Sequence, residues 1–294
     1  MRIIQSFWSK PINSKFENNL LNRSSGGWRS KKVFYMAWAL SCLQLKRVYP
    51  NIELELVTDS EGKKVLIDRM KLPYDSVSLE LDGLNEYDEN LWAIGKIRTY
   101  NLQKEPFIHV DGDVFIWGNI LDGTFQKELC AQSIDNRTWY YSKSAKMVLD
   151  HFTYLPSDIK NYLKSEPIYG VNAGILGGRN IEFIQEYSSM AMDLVNRNRA
   201  NLKKKDMNHF NMFYEQFLFV FLQKKRGLEL TALFQGLSED YKEIIDMSMI
   251  PFRKYNHIVG YAKKNFIINE QVYIRLKLNH PSYFQNIIKQ FKDE

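Results

Sequence analysis

Phe107-Ile108-His109-Val110-Asp111-Gly112-Asp113-Val114-Phe115-Ile116-Trp117 is the stretch on which the reading of the fold turns. An apolar, strand-like run ends in two aspartates separated by one glycine, and another apolar run begins at once. Residues i and i+2 of an extended segment point to the same side, so both carboxylates can face one point just past the strand end. Gly112 between them lets a backbone or a phosphate come close. Two adjacent carboxylates repel unless a cation lies between them. Oxygen ligands of this kind suit Mg²⁺ or Mn²⁺, which can keep water and bridge to substrate phosphates. No other Asp-x-Asp occurs in the chain. Two nearby aspartates more often mark a solvated turn, and the apolar strands on both sides set this pair apart.

Upstream, the pattern alternates strand and helix. Residues 2–8 read as a strand and residues 13–29, with Ser24-Ser25-Gly26-Gly27, as a loop. Val33, Met36, Ala37, Leu40, Leu43 and Leu45 keep helical spacing over 30–49, and Pro50 stops that helix. A second strand over 53–58 ends in Thr58-Asp59-Ser60, which can cap a helix over 61–70. A third strand is expected over 76–81, a helix over 90–103, and over 106–110 the strand that delivers the aspartates. Such alternation predicts an α/β fold, a mainly parallel sheet flanked by helices. Ligands of such sheets bind outside the carboxyl ends of the strands. Ser6-Phe7-Trp8, Thr58-Asp59 and Asp111-Asp113 all fall at such ends.

Downstream, the pattern is less regular. A strand is expected over 129–134 and a short helix over 142–151. A glycine-punctuated strand and turn covers 168–178, and an amphipathic helix 181–197. Lys203-Lys204-Lys205 reads as a basic loop. Asp206 or Asn208 caps an aromatic helix that runs to about Lys225 and stops at Gly227. A strand over 228–234 and a mostly helical tail over 270–293 complete the chain. With no repeat, low-complexity tract or linker, residues 1–294 read as one domain, with halves over 1–113 and 114–294.

Composition sets wide bounds. The 294 residues are 45% hydrophobic and 25% charged, ordinary for a globular protein, with 14% aromatic residues that suit a thick core. The net charge of +6 is compatible with an anionic ligand, an anionic membrane or nucleic acid. The lysines are spread rather than gathered and no nucleic-acid motif is present, so no nucleic-acid partner is expected. Cys42 and Cys130 are too few for a disulfide framework and read as buried thiols, which points to a reducing cytoplasm. The N-terminus lacks the pattern of a signal peptide, and no apolar run is long enough to span a membrane. A lipid-linked substrate would be met peripherally, at the inner face of the membrane.

Further stretches carry candidate chemistry. His257-Ile258-Val259-Gly260-Tyr261-Ala262-Lys263 has the form His-x-x-Gly-x-x-Lys. A histidine nitrogen can complete a mixed shell for Mn²⁺, and a lysine past a glycine turn can reach a phosphate oxygen. Tyr169-Gly170-Val171-Asn172-Ala173-Gly174 joins an amide to small residues, and Tyr214-Glu215-Gln216-Phe217 sets a polar pair in the aromatic helix. Lys96 and Arg98, two apart on their helix, cannot share a face. There is no Walker loop, no Gly-x-Gly-x-x-Gly and no tetrahedral zinc set.

With these residues in order, the chain resembles a GT-A glycosyltransferase of the glycogenin- and galactosyltransferase-like, retaining branch. The likeness runs from Arg2 to about Lys263 in architecture and is specific at a few short motifs. It implies a divalent metal, Mn²⁺ or Mg²⁺, held by Asp111, Asp113 and His257. It implies Lys263 on the diphosphate of a nucleotide-sugar donor, UDP-sugar before GDP-sugar, and Asn172 beside the donor sugar. It further implies Glu215 as base or acceptor-positioning group, Gln216 near the anomeric carbon, and a basic residue, Lys96 before Arg98, facing the donor. Asp59 stands where the nucleoside is contacted, with Ser6 and Trp8 at the same edge. The family often follows the lysine with Pro-Trp, and here Lys264-Asn265 stands instead. The function implied is sugar transfer to a saccharide, lipid-linked or protein acceptor, as in polysaccharide or surface-glycan synthesis. The rivals are a sugar nucleotidyltransferase, which usually carries a basic glycine-rich loop where Phe7-Trp8-Ser9-Lys10-Pro11 stands, and a non-catalytic binding protein on the same fold.

Overall fold

Twelve consecutive residues, Phe34 to Leu45, are buried in the Lys31–Val48 helix, which is therefore enclosed on nearly every side. It begins where Ser30 Oγ accepts the N–H of Val33 at 3.2 Å and ends just before Pro50. The computed structural model describes residues 1–13, 23–135, 138–165, 167–202, 207–250 and 252–292. Lys203 to Lys205, Asp206 and part of the 13–29 loop lie outside the described residues.

The strands are β1 (Arg2–Phe7), β2 (Leu54–Thr58), β3 (Ser76–Ser78), β4 (Phe107–Val110), β5 (Val114–Ile116), β6 (Cys130–Asp135), β7 (Gly170–Gly178), β8 (Thr231–Phe234) and β9 (Tyr255–His257). Seven form one sheet in the order β3-β2-β1-β4-β7-β6-β8, and β5 pairs with β9 in a separate ribbon. Pairs β1–β2, β2–β3 and β6–β8 are parallel, whereas β6–β7 is antiparallel. The α/β fold with a mixed, mostly parallel sheet flanked by helices is thus the observed architecture. All five residues of β2 and all four of β4 are buried, as strands covered on both faces require.

The chain divides into two compact units. The first comprises Met1–Asn85, His109–Asp122 and Asp240–Glu294, and the second Glu86–Ile108 and Gly123–Glu239. In the first, Asp59 Oδ1 accepts the N–H of Gly62 at 2.7 Å and caps the turn that follows β2. The expected third strand is shorter than its apolar pattern: Glu80–Leu84 coils into a 3-10 turn. In the second, the helix before the aspartates runs only over Ile94–Leu102, because Asp88 caps a turn at Asn90 instead. The aromatic helix carries a π-helical turn at Phe213–Phe217, and Gly227 (φ 61°) ends it in the left-handed conformation. The Ser157–Lys164 helix and β9 had no sequence counterpart. Both cysteines are buried free thiols; burial raises Cys42 strongly and pushes Cys130 up to about 12.

β7 ends in two glycines that no other residue could replace cheaply. A Cβ on Gly177 would strike the carbonyl oxygen of Phe107, and one on Gly178 (φ 138°) the carbonyl oxygen of Glu128. Neither neighbour is a side-chain tip that can move aside. Gly178→Ala is therefore expected to lower stability by about 2–3 kcal/mol, read by chemical denaturation with unchanged m-value. A loss below half a kilocalorie would mean that the backbone relaxes there freely.

Candidate active site

The Asp111–Asp113 turn is built by its own backbone and by a strand distant in sequence. Val114 N–H donates to the carbonyl of Asp111 at 3.1 Å and closes the turn. β9 then pairs antiparallel with β5, setting His257 opposite Val114 and Tyr255 opposite Ile116. Ile258 N–H reaches the carbonyl of Asp113 at 3.1 Å and extends that ladder. The register carries the imidazole to the aspartates: His257 Nε2 lies 3.3 Å from Asp113 Oδ1. One ligand atom each from Asp111, Asp113 and His257 falls within 4.8 Å of the others.

Lys263 reaches the same point. Gly260 (φ 51°) opens the Gly260–Lys264 turn, and Lys263 Nζ comes 2.6 Å from Asp113 Oδ2. Burial alone would push the Asp113 carboxyl up. The Lys263 and His257 charges outweigh it and hold the carboxyl far below the usual carboxylate range. Asp113 is thus ionised at any working pH. Two carboxylates and one imidazole form a mixed oxygen and nitrogen donor set of the kind that suits Mn²⁺.

Behind the turn stands a polar network that sequence reading missed. Trp38 Nε1 donates to Tyr74 Oη at 2.9 Å, and Tyr74 Oη donates to Gln5 Oε1 at 2.7 Å. Gln5 Nε2 donates to Ser41 Oγ at 3.0 Å, and both Gln5 and Ser41 point to the carbonyl of Asp111, at 3.4 and 3.3 Å. A Cβ on Gly112 would run into the Trp38 indole, so the glycine serves close packing as well as approach from outside. His109 is buried, as a core histidine should be, and it also touches the site: Nε2 meets Ser6 Oγ at 2.9 Å and Nδ1 lies 3.6 Å from Asp111 Oδ1. A buried polar residue inside an apolar strand is the one signal that could have found Gln5.

At the carboxyl end of β2, both oxygens of Asp59 are engaged. Oδ1 caps Gly62, and Oδ2 accepts from the backbone and hydroxyl of Ser9 at 2.8 and 2.9 Å. The capping role is real, and any contact to a nucleoside would have to share those oxygens. A cleft beside it is lined by Ser9, Lys10, Asp59, Ser60, Asp82 and Asn85. Trp8 is buried, and its indole N–H has no hydrogen-bond partner among the described residues. Phe7 packs edge-on against Trp38, as core.

In the second unit a different group gathers. Lys96 Nζ lies 2.5 Å from Glu215 Oε1 and donates to the carbonyl of Ala173 at 3.1 Å. Lys96 is thus the basic residue of its helix that meets the Glu215-Gln216 pair, while Arg98 is half-buried on another face. Glu215 is buried in the π-helical turn, and Gln216 Nε2 approaches it at 3.4 Å. Such turns recur at functional sites. Asn172 Oδ1 accepts from Gly174 N–H at 3.0 Å, which turns the carbonyl end of the amide onto its own strand. Ser133, unmarked in the sequence, stands opposite Asn172 across β6 and β7, its hydroxyl buried without a hydrogen-bond partner among the described residues.

Fold and site together define an α/β protein with an Asp-x-Asp/His cluster able to hold a divalent cation. Over residues 1–290 the chain matches the family of unknown function DUF6734, and it belongs to that family. No curated protein is detectably similar in sequence. Among solved structures it is similar to the galactosyltransferase LgtC in complex with donor and acceptor sugar analogs (11% identity, 88% of this chain and 87% of that one, TM-score 0.45). It is similar also to the glycosyltransferase GlyE of Streptococcus pneumoniae TIGR4 (10%, 99% and 64%, 0.46). Mouse xyloside xylosyltransferase 1 is a third likeness (10%, 87% and 96%, 0.41). The residues of the site, not these remote likenesses, carry the functional reading.

Proposed function

We propose that this chain is a metal-dependent, hexosyltransferase-type glycosyltransferase that takes its sugar from a nucleotide-diphosphate donor, UDP-sugar favoured. The observation that carries the reading is the convergence of Asp111, Asp113 and His257 within 4.8 Å, with the Lys263 ammonium 2.6 Å from Asp113. Breaking a sugar–phosphate bond leaves negative charge on the diphosphate. Positive charge fixed at that point stabilises the transition state more than the ground state. Asp111, Asp113 and His257 would hold Mn²⁺, or Mg²⁺, which supplies Lewis-acid stabilisation of the leaving diphosphate. The Lys263 ammonium, no longer needed to neutralise Asp113, would turn to a diphosphate oxygen.

Within the second unit, Asn172 is assigned to sugar hydroxyls, Glu215 to the acceptor as base or positioning group, and Gln216 to the anomeric carbon. Lys96 orients Glu215, and Arg98 is left as a secondary candidate. Burial of Glu215 and its 2.5 Å ion pair support these roles. Ser6, Trp8 and Asp59 are assigned to the nucleoside edge, supported by the adjoining cleft. The acceptor class is a saccharide, lipid-linked glycan or protein, and a cytoplasmic setting is supported by two buried free thiols. The described residues contain no helix long and apolar enough to cross a membrane.

Thermal unfolding with UDP-, GDP-, CMP- and dTDP-sugars, each with and without Mn²⁺, tests the reading. A ligand of the native state raises stability by mass action, about 2.7 kcal/mol at a hundred times its dissociation constant. The expected result is a metal-dependent rise with a UDP-sugar. A protein indifferent to all four donors in the presence of metal would turn the reading toward a non-catalytic copy of the fold.

A further inference from the structure

The Phe266–Asn279 helix is apolar on two opposite faces. Ile268, Val272 and Leu276 are buried, and the helix packs along the Lys31–Val48 helix. On the other side Ile267, Ile274 and Leu278 are 66%, 41% and 71% exposed. At about 100° per residue these three form one narrow stripe, with Gln271 filling the intervening turn. Tyr261 and Phe266, 65% and 61% exposed, lie just before it. A helix apolar all round is ordinarily buried all round. An apolar patch left in solvent with a polar rim marks a surface that binds something.

Charge indicates what covers it. Residues 252–294 hold eight lysines and arginines against three acidic residues, Glu270, Asp293 and Glu294, a net +5 beside the +6 of the whole chain. Lys263 and Lys264 turn inward, to Asp113 and to the carbonyl of Trp28. Lys254, Lys277, Lys289 and Lys292 are exposed. By helical phase, Lys277 flanks the stripe on one side and Arg275 on the other. The Arg29 guanidinium lies over the Phe266 ring, 5.8 Å from its centre.

We propose that this face docks on an anionic lipid surface. Its aliphatic side chains enter the interface, while Lys277 and Arg275 extend their stems along it and set their cationic ends among anionic headgroups. A second copy of the chain fits less well, because a self-paired contact would bring like charges together. The inference is independent of sugar transfer.

The test is co-sedimentation of the full chain with vesicles of phosphatidylglycerol or of phosphatidylcholine, at low and high salt. Binding is expected to phosphatidylglycerol, weakening with salt, and not to phosphatidylcholine. Ile274→Asp with Leu278→Asp should weaken it about tenfold or more with little change in melting temperature, since Leu278 is mostly in water and Ile274 partly so. Lys277→Glu, at an exposed position, should weaken it by a smaller factor and serves if the double variant does not fold. No binding to phosphatidylglycerol, or binding indifferent to these substitutions, overturns the proposal. A concentration-dependent dimer that the same substitutions abolish would overturn it in favour of a protein interface.

Discussion

Asp113→Asn is expected to lower sugar transfer by about a thousandfold or more, with the fold intact. The side chains are nearly isosteric, so packing around the turn survives. What is lost is charge. An asparagine amide would be a poor ligand for a divalent cation, and Lys263 and His257 would lose the anion that both now face, at 2.6 and 3.3 Å. The metal-dependent rise in melting temperature should vanish with activity, while circular dichroism stays close to wild type and the metal-free transition moves down by the stability that the pairing with Lys263 and His257 supplies. The loss should hold across the ordinary pH range. With its folded value held far below the usual one, Asp113 is charged wherever the protein is assayed. Stability from its pairing is complete above the unfolded carboxylate range, near pH 4, and is lost only as pH falls into strong acid. Nucleoside diphosphate release at the wild-type rate by the Asn variant would sink the proposed role.

The second large effect is on stability. Glu215→Ala is expected to cost about 3–5 kcal/mol, because it strands the Lys96 ammonium with no carboxylate beside it. The Glu215 side chain is only 2% exposed and that of Lys96 12%, so little water replaces the missing partner. Lys96→Met combined with Glu215→Leu removes both charges and should recover most of the loss, since an apolar pair of similar volume often matches a buried ion pair. With Lys96→Met and Glu215→Leu also made singly, the unfolding free energies of the two singles and the double close a cycle that measures the coupling. If the double variant regains stability but not transfer, Glu215 serves chemistry as well as folding. A single variant as stable as wild type would mean the ion pair does not hold in solution.

Much of the fold was legible because its signals are local. The apolar spacing to Leu45 and the stop at Pro50 fall within one helix. Thr58-Asp59-Ser60 announced a turn whose cap is made by the side chain named for it. The aromatic run of residues 210–222 reads as core and is core. Residues 90–93 and 80–84 misled for the opposite reason. Their apolar pattern continues, but Asp88 and a 3-10 turn take the backbone hydrogen bonds that a longer helix or strand would need.

The candidate site divides along the same line. Asp111 and Asp113 were visible because a two-residue spacing at a strand end is itself geometry. His257 was visible only as a motif, since a three-residue strand has no period to read. What brings it to Asp113 is the antiparallel register of Val114 with His257, a pairing across more than a hundred residues. Gln5 and Ser41 behind Asp111, and Ser133 facing Asn172, left no trace in local pattern for the same reason. Strand–helix alternation, the paired carboxylates with their glycine, the Asp59 cap and the stops at Pro50 and Gly227 are properties of neighbours along the chain and can be read there. The meeting of His257 and Lys263 with those carboxylates, of Lys96 rather than Arg98 with Glu215, and the solvent-facing side of the Phe266–Asn279 helix come from the packed chain. Those depend on register and packing between distant segments, where buried area and charge pairing, not local propensity, set the free energy.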